Sequence, residues 1–104
     1  MDLCVLLYQQ TNNFPNSELY GLTSQIRRCA VSIPSNIAEG RLRGHIAEYK
    51  HFLHIAYGSA AELETQLIIA RRIGYLKENA YDELNTRLVE VMKMLNKLLS
   101  VLKS

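Results

Sequence analysis

The strongest constraint on the fold of this sequence is a helical spacing of apolar and small residues in its second half. From Ile46 onward the intervals alternate between three and four positions, at Ile46, Tyr49, Leu53, Ala56, Ala60, Leu63, Leu67 and Ala70. This spacing places all of them on one face of a helix, as in the seam of a helical bundle. The segment ARRIGYL supplies basic residues and then Gly74, which is typical of a helix C-terminus. We therefore predict a helix of about 28 residues, roughly 40 Å long.

Two further segments show the same spacing, so the sequence predicts an all-α protein. One seam comprises Leu84, Leu88, Val91, Leu95, Leu98 and Leu102, and the other Leu22, Ile26, Cys29, Ile33 and Ile37. The short connection before the last helix predicts antiparallel neighbours, with Asn79 as the N-cap and Asp82 and Glu83 in the first turn. DLCVLLYQQT predicts one short helix. The predicted fold is a single up-down four-helix bundle over residues 1–104, with a short first helix.

The segment SIPSNIAEG places a proline within the second helical seam. Pro34 has no backbone N–H, so it frees the carbonyl of Ala30. Isoleucines on both sides continue the helical spacing. We therefore predict a kinked but continuous helix from about residue 22 to Glu39, ended by Gly40. Three polar residues lie close enough to satisfy the groups that the kink frees: Ser32, Ser35 and Asn36.

Composition excludes several classes of protein. The sequence is 48% hydrophobic and 21% charged, as in an ordinary globular protein. Its longest apolar run falls well short of the roughly 20 residues that span a bilayer. Its N-terminus lacks the basic region and cleavage site of a signal peptide. Two cysteines, Cys4 and Cys29, suit a reducing compartment, so we expect a cytoplasmic protein with no membrane partner.

The helices carry more apolar residues than a bundle core requires. On a heptad with Ile46 at position a, Ile55 and Ile69 fall at c and Ile68 at b, positions that face away from the core. In the fourth helix, Met92 and Leu99 fall at e. One interpretation is a wide bundle face with ordinary scattered surface apolars. The other is self-association. We predict a homo-oligomer whose interface includes Ile55, Ile68, Ile69, Met92 and Leu99.

One spacing raises the question of a metal site. Glu48 and His51 form a Glu-x-x-His pair, with His54 a turn later, as in di-metal helical bundles. Such sites need this motif twice, and here the heptad points all three side chains to solvent. The sequence also lacks a Gly-rich phosphate loop, a Ser/His/Asp set and a Cys/His zinc spacing. We therefore predict no enzymatic activity, no metal and no other cofactor.

Basic residues collect where the second and third helices meet. Antiparallel packing of the last two helices adds two lysines to the same end, giving Arg41, Arg43, His45, Lys50, Lys97 and Lys103. Such a cluster can bind phosphates with release of counterions. The alternative is a solvated surface, because glutamates are interspersed. Few aromatic residues lie nearby, so base-specific recognition is not supported.

Two stretches together resemble a known family. They are YGLTSQIRRCAVSIPSNIAEG at 20–40 and EYKHFLHIAYGSAAELETQLIIARRIGYL at 48–76. They closely resemble the four-helix-bundle family of 23S rRNA intervening-sequence proteins. The same superfamily contains Avd, the accessory variability protein of diversity-generating retroelements. Relatives usually begin with a longer first helix that carries a tryptophan. This sequence has no tryptophan, so we expect either a first helix that is shortened relative to theirs or a sequence that starts late.

The resemblance implies a fold, an assembly and a kind of partner. It implies a non-enzymatic up-down bundle that assembles as a pentamer, and it implies RNA or DNA as a partner, since Avd binds nucleic acid. Carried over by position, the residues expected to contact RNA or DNA are Arg27, Arg28, Arg41, Arg43 and Lys50. Avd also binds a reverse transcriptase. The alternative function is therefore a protein–protein scaffold, or an accessory subunit that docks such an enzyme without touching nucleic acid.

Overall fold

The computed structural model describes residues 2–102, and within that range it contains four α-helices and no strand. They are α1 (Asp2–Thr11), α2 (Leu22–Leu42), α3 (Ile46–Arg72) and α4 (Glu78–Val101), with a 3₁₀ turn at Asn16–Glu18 between the first two. The predicted all-α four-helix bundle is confirmed. None of the described helices is both long and apolar enough to cross a lipid bilayer.

The helices pack in sequence order, and α1 closes the bundle. α2 packs chiefly on α3, α3 packs on α4, and α1 contacts both α2 and α4. The largest fully buried side chains come from all four helices: Leu7, Ile26, Leu53, Leu63, Leu67, Leu84, Leu88 and Leu95. The predicted seam of α3 is buried from Leu53 to Ala70. Its first member, Ile46, stays 48% exposed because the first turn of α3 extends beyond the core.

α2 runs through Pro34 without a break, so the predicted continuous helix is confirmed, while the kink stays a prediction. The freed carbonyl of Ala30 accepts a hydrogen bond of 3.1 Å from the Cys4 thiol of α1, a partner that the sequence did not indicate. Asn36 Nδ2 donates to the carbonyl of Ser32 at 2.8 Å. The Ser32 hydroxyl also lies 2.8 Å from that of Ser59, which ties α2 to α3.

The predicted end of α2 at Gly40 is wrong. Gly40 is buried inside the helix, where an added Cβ would lie 2.7 Å from Phe52 Cβ. Glycine is therefore required for the close approach of α2 to α3 rather than for termination. The chain turns instead at Gly44, where φ is +79°.

The ends of α3 and α4 give one confirmed and one wrong prediction. α3 ends before Gly74, as predicted, with φ of +86° there, and the amide of Tyr75 donates to the carbonyl of Ala70 at 2.9 Å. The prediction of Asn79 as the N-cap of α4 is wrong. Lys77 occupies that position without a side-chain cap. Asp82 and Glu83 consequently lie beyond the first turn, whose acidic residue is Glu78.

Candidate nucleic-acid interface

The α2–α3 turn is the most open part of the bundle, since every residue from 41 to 48 is exposed. The predicted basic residues Arg41, Arg43 and His45 lie in this turn, and Lys50 follows in the second turn of α3. We call these four residues the basic end. The chain reverses at Gly44, and Arg41, Arg43 and His45 are exposed around this reversal, whereas Lys50 is half-buried.

Lys97 and Lys103 have different relations to the basic end. Asn96 donates a hydrogen bond of 3.4 Å to the Tyr57 hydroxyl, which sets the level of α4 against α3. Because α3 and α4 are antiparallel, Lys97 lies one residue from this level toward the basic end, and Lys50 lies seven residues from it in the same direction. The difference of six residues separates the two lysines by roughly 9 Å along the bundle axis. Lys103 lies outside the described residues.

Arg43 is held by contacts within the protein. Its guanidinium lies 3.1 Å from Glu39 and 3.9 Å from Glu48, and it also covers the Phe52 ring at 5.2 Å. These contacts clamp the last turn of α2 to the first turns of α3. Both carboxylates are about half exposed, so each pair adds at most about 1 kcal/mol. Arg43 is primarily a structural residue of the turn, and its positive charge is balanced locally.

Arg41 and Lys50 differ from Arg43 in being free of such partners. Within residues 2–102 neither side chain forms an ion pair. Arg41 is exposed in the last turn of α2, and Lys50 is half-buried in the second turn of α3. Together with Arg28, which is also exposed and forms no ion pair in this range, they are the members of the predicted set whose charge is available to a phosphate.

Arg27 and Arg28 lie elsewhere. Arg27 Nε donates to Thr11 Oγ1 at 2.9 Å, and its guanidinium stacks over the Tyr8 ring at 4.7 Å. These contacts fasten α1 to α2. Arg28 is exposed. Because Arg27 precedes Arg41 by 14 residues of one helix, the two lie roughly 21 Å apart along its axis. The structure thus divides the five predicted contact residues into two separate groups.

The predicted oligomer residues also divide into two groups. Ile55 and Ile69 are 38% and 44% exposed on the outside of α3, whereas the other three (Ile68, Met92 and Leu99) are packed partly against the core. Exposed residues with helical spacing connect the two isoleucines. We call this stripe the α3 outer face: Ile55, Gly58, Glu62, Thr65 and Ile69. A Cβ added at Gly58 would meet no atom within 4 Å, so its lack of a side chain is unexplained by the packing of one protomer.

The side chains considered for chemistry do not converge. Glu48, His51 and His54 are exposed, and His51 packs edge-on against Phe52 with the ring centroids 5.5 Å apart. In the described part of the chain no three His, Cys, Asp or Glu side chains are placed to hold a metal ion. Burial raises the pKa of the Cys4 and Cys29 thiols, which favours the unreactive protonated form.

The fold and its exposed turn define a small all-α bundle protein with a cationic end. The family model described as 23S rRNA-intervening sequence protein matches residues 1–97, and the chain belongs to this family. No curated protein matches the chain.

A solved structure from Bacteroides thetaiotaomicron VPI-5482 is similar to this chain. It is described as a protein of unknown function from the S23 ribosomal protein family, with 28% sequence identity and a TM-score of 0.81. The match covers 92% of this chain and 87% of that one. Neither this description nor that of the family names a reaction.

Proposed function

We propose that the protein is a non-enzymatic homo-oligomer that binds RNA or DNA through its basic end. The observation that carries the proposal is the pair of cations at the α2–α3 turn, Arg41 and Lys50, which have no ion-pair partner in the described range. Cations that gain no internal partner and lie at an open turn are suited to neutralise phosphates. Few aromatic side chains lie beside them, so the backbone rather than the bases is the expected ligand.

Self-association would make such a small cationic site effective. Two phosphate contacts in one protomer give weak, strongly salt-dependent binding. An oligomer presents several copies at once, and linked sites raise the overall affinity without any new contact. We propose a pentamer, following the family resemblance, with contacts that include the α3 outer face.

A salt titration tests the proposed nucleic-acid binding. A labelled fragment of 23S rRNA is titrated with the full chain, and binding is followed by fluorescence anisotropy at several salt concentrations. The double variant R41Q/K50Q should bind more weakly, and the slope of log K against log salt should fall by about one per lost phosphate contact. The matched control R72Q/K77Q removes two exposed cations at the opposite end of α3 and should bind like the parent.

The outcomes separate binding from non-specific attraction. Absence of binding at low salt would refute the proposal. An equal loss in the control variant would show that net charge, not the basic end, determines affinity.

Light scattering tests the proposed assembly. The protomer mass is 11.9 kDa, so a pentamer should scatter with about five times that mass. I55K/I69K should dissociate the oligomer because two lysines would be buried at its interface. Tyr20 is 93% exposed and lies off the α3 outer face, so Y20K serves as the control. A parent that scatters as a single protomer at micromolar concentration would refute self-association.

A second candidate function is an accessory subunit that docks an enzyme such as a reverse transcriptase, with no nucleic-acid contact. It is supported by the exposed apolar residues and by the proposed relationship to the Avd superfamily. An oligomer that fails to bind the rRNA fragment, but captures purified reverse transcriptase in a pull-down, would favour this candidate over the first.

A further inference from the structure

A small polar cavity lies where the chain passes from α1 to α2. It has a volume of about 160 Å³ and is bounded by the end of α1, the 3₁₀ turn and the start of α2. Three of its lining residues are buried, namely Thr11, Phe14 and Thr23, whereas Asn12 and Asn16 are exposed. The cavity therefore has a buried base and opens to solvent. A water molecule occupies about 30 Å³, so there is room for a larger group.

Thr23 brings an unsatisfied hydroxyl to this cavity. It is the second residue of α2, its exposed fraction is 3%, and its Oγ1 has no hydrogen-bond partner in residues 2–102. The other buried hydroxyl, that of Thr11, donates to the carbonyl of Leu7 at 2.9 Å and accepts from Arg27. A buried hydroxyl without a partner costs free energy, and a ligand that bonds to it recovers that cost. Thr23 is the buried hydroxyl of the cavity that can still bond to a ligand.

Arg27 brings a positive charge to the same cavity. Its Nε donates to Thr11, and its Nη2 donates to Asn12 Oδ1 at 3.2 Å. Both acceptors are neutral, and within the described range Arg27 forms no ion pair. A guanidinium has about five N–H donors, so about three of them remain for a ligand. The stacking over the Tyr8 ring at 4.7 Å fixes the guanidinium in place before any ligand binds.

The first turn of α2 adds further donors. No side chain caps this helix, and in residues 2–102 the amides of Thr23 and Ser24 have no acceptor. The amide of Leu22 donates to one carboxylate oxygen of Glu18 at 3.4 Å. The other oxygen accepts from the Tyr75 hydroxyl at 2.9 Å, and Glu18 does not line the cavity. The unpaired amides and the positive end of the helix dipole favour an anion beside Thr23.

We propose that this cavity binds a single phosphate group, held by the Arg27 guanidinium and the Thr23 hydroxyl. None of the described residues that line it is acidic, so a neutral ligand would leave the charge of Arg27 uncompensated. A planar guanidinium can bond to two phosphate oxygens at once, and a further oxygen is left for the hydroxyl. A carboxylate has fewer oxygens and would leave one of these groups unbound.

The phosphate has two possible sources, which share the same chemistry. It is either a free phosphate ion or the terminal phosphate of a larger molecule. In the second case the rest of that molecule lies outside the cavity, over the exposed side chains of Asn12 and Asn16.

A titration of the ¹⁵N-labelled full chain with inorganic phosphate tests the site, with ionic strength held constant by chloride. The amide signals of Thr23 and Ser24 should shift and saturate together. T23V should weaken phosphate binding about ten-fold, because it removes one hydrogen bond to a charged group. It should also keep or raise Tm, since a methyl group replaces an unsatisfied hydroxyl. The control is T86V, at an exposed threonine of α4, which should bind phosphate like the parent.

A charge variant tests the role of Arg27. R27Q should abolish the saturable shifts of the Thr23 and Ser24 amides. The control K93Q removes one positive charge from an exposed position of α4 and should leave these shifts unchanged. Because Arg27 also fastens α1 to α2, thermal melts must show that R27Q is folded. If it is not, T23V alone decides the proposal.

Two short oligonucleotides distinguish the sources of the phosphate. They have the same sequence, and one ends in a 5′-phosphate, the other in a 5′-hydroxyl. If the ligand is a terminal phosphate, the parent should bind the phosphorylated one about ten-fold more tightly, and T23V should reduce this preference. Equal binding of the two, together with saturation by inorganic phosphate, assigns the site to the free ion.

Three results would overturn the proposal. They are shifts of the Thr23 and Ser24 amides that never saturate, equal phosphate binding by T23V and the parent, and an equal loss in K93Q and R27Q. The proposal does not depend on nucleic-acid binding at the basic end, because Arg27 lies roughly 21 Å from Arg41 along α2. R41Q/K50Q should weaken rRNA binding and leave the phosphate titration of the Thr23 amide unchanged, so failures of the two proposals can be distinguished.

Discussion

Replacing Gly58 by alanine should affect the stability of one protomer and the strength of self-association in opposite directions. Gly58 lies in the middle of α3, and an added Cβ would meet no atom within 4 Å. In a helix interior, glycine is less stable than alanine by about 1 kcal/mol. G58A should therefore raise the free energy of unfolding of a protomer by that amount. In a domain of this size, it should raise Tm by about 4–8 °C.

The same methyl group should weaken the oligomer if another copy packs closely on the α3 outer face. Inserting a methyl group into a well-packed contact costs about 1–3 kcal/mol, or about 5- to 150-fold in the dissociation constant. Dilute thermal melts report the first effect, and sedimentation or light scattering across a concentration series reports the second. The control T65A lies on the same face and improves helix propensity, but it removes volume instead of adding it.

Each measurement can contradict its own part of the reasoning. If G58A stabilises the protein and leaves association unchanged, no neighbouring backbone lies close to Gly58. If it lowers Tm in dilute solution, the space around this residue is not open. If T65A weakens self-association as much as G58A does, the α3 outer face responds to any change of side chain and not to added volume.

Two further predictions concern the contacts of α2. G40A should lower the free energy of unfolding by about 1–2 kcal/mol in urea titrations, because its Cβ would lie 2.7 Å from Phe52 Cβ, and a midpoint at or above the parent's would contradict this close packing. C4A should destabilise the protein by about 1 kcal/mol, since it leaves the Ala30 carbonyl without its thiol donor, whereas C4S should retain much of that stability. Burial raises the pKa of the Cys4 thiol in the folded protein above its value in the unfolded chain. The stability that the thiol contributes is therefore fully present below the pKa of the unfolded chain, and it is lost as the pH rises through the pKa of the folded protein. Melts from neutral to alkaline pH should therefore show the parent converging on C4A, and a constant gap would refute the role of this thiol.

The helices themselves could be predicted because each buries one face, and the residues of that face recur every three or four positions within one segment of the sequence. The α3 seam from Leu53 to Ala70 is buried as the periodicity indicates. The continuity of α2 could be predicted because isoleucines continue the helical spacing on both sides of Pro34. Ile33 is buried and Ile37 packs partly against the core, and this burial outweighs the loss of one hydrogen bond. The turn at Gly74 could be predicted because basic residues and a glycine follow the periodic segment directly.

Contacts between distant residues could not be predicted in this way. The thiol that satisfies Ala30 comes from Cys4, 26 positions earlier, and nothing in the local pattern indicates that pairing. Arg27, which the resemblance places among the nucleic-acid contacts, donates a hydrogen bond to Thr11 of α1, and the sequence gives no sign of that contact. Gly40 was interpreted as a terminator, although the reason for a glycine there is the Phe52 side chain of the next helix. In each case the deciding atom lies in another helix.

Each end of the bundle holds one arginine against an aromatic ring and a carboxylate. At the α3–α4 end, Tyr75 packs against Phe14 with ring centroids 5.6 Å apart and donates to Glu18 at 2.9 Å, which raises the pKa of Tyr75. A cation there, Arg71, lies 4.2 Å above the Tyr81 ring and contacts a glutamate.

At the α2–α3 end, Arg43 makes the comparable contacts with Phe52 and Glu39, whereas Arg41 and Lys50 have no ion-pair partner in the described range. Arg72 and Lys77, at the α3–α4 end, also have no ion-pair partner in that range, so a missing partner does not by itself distinguish the two ends. The R72Q/K77Q control therefore decides whether the position of the basic end or net charge determines affinity for nucleic acid.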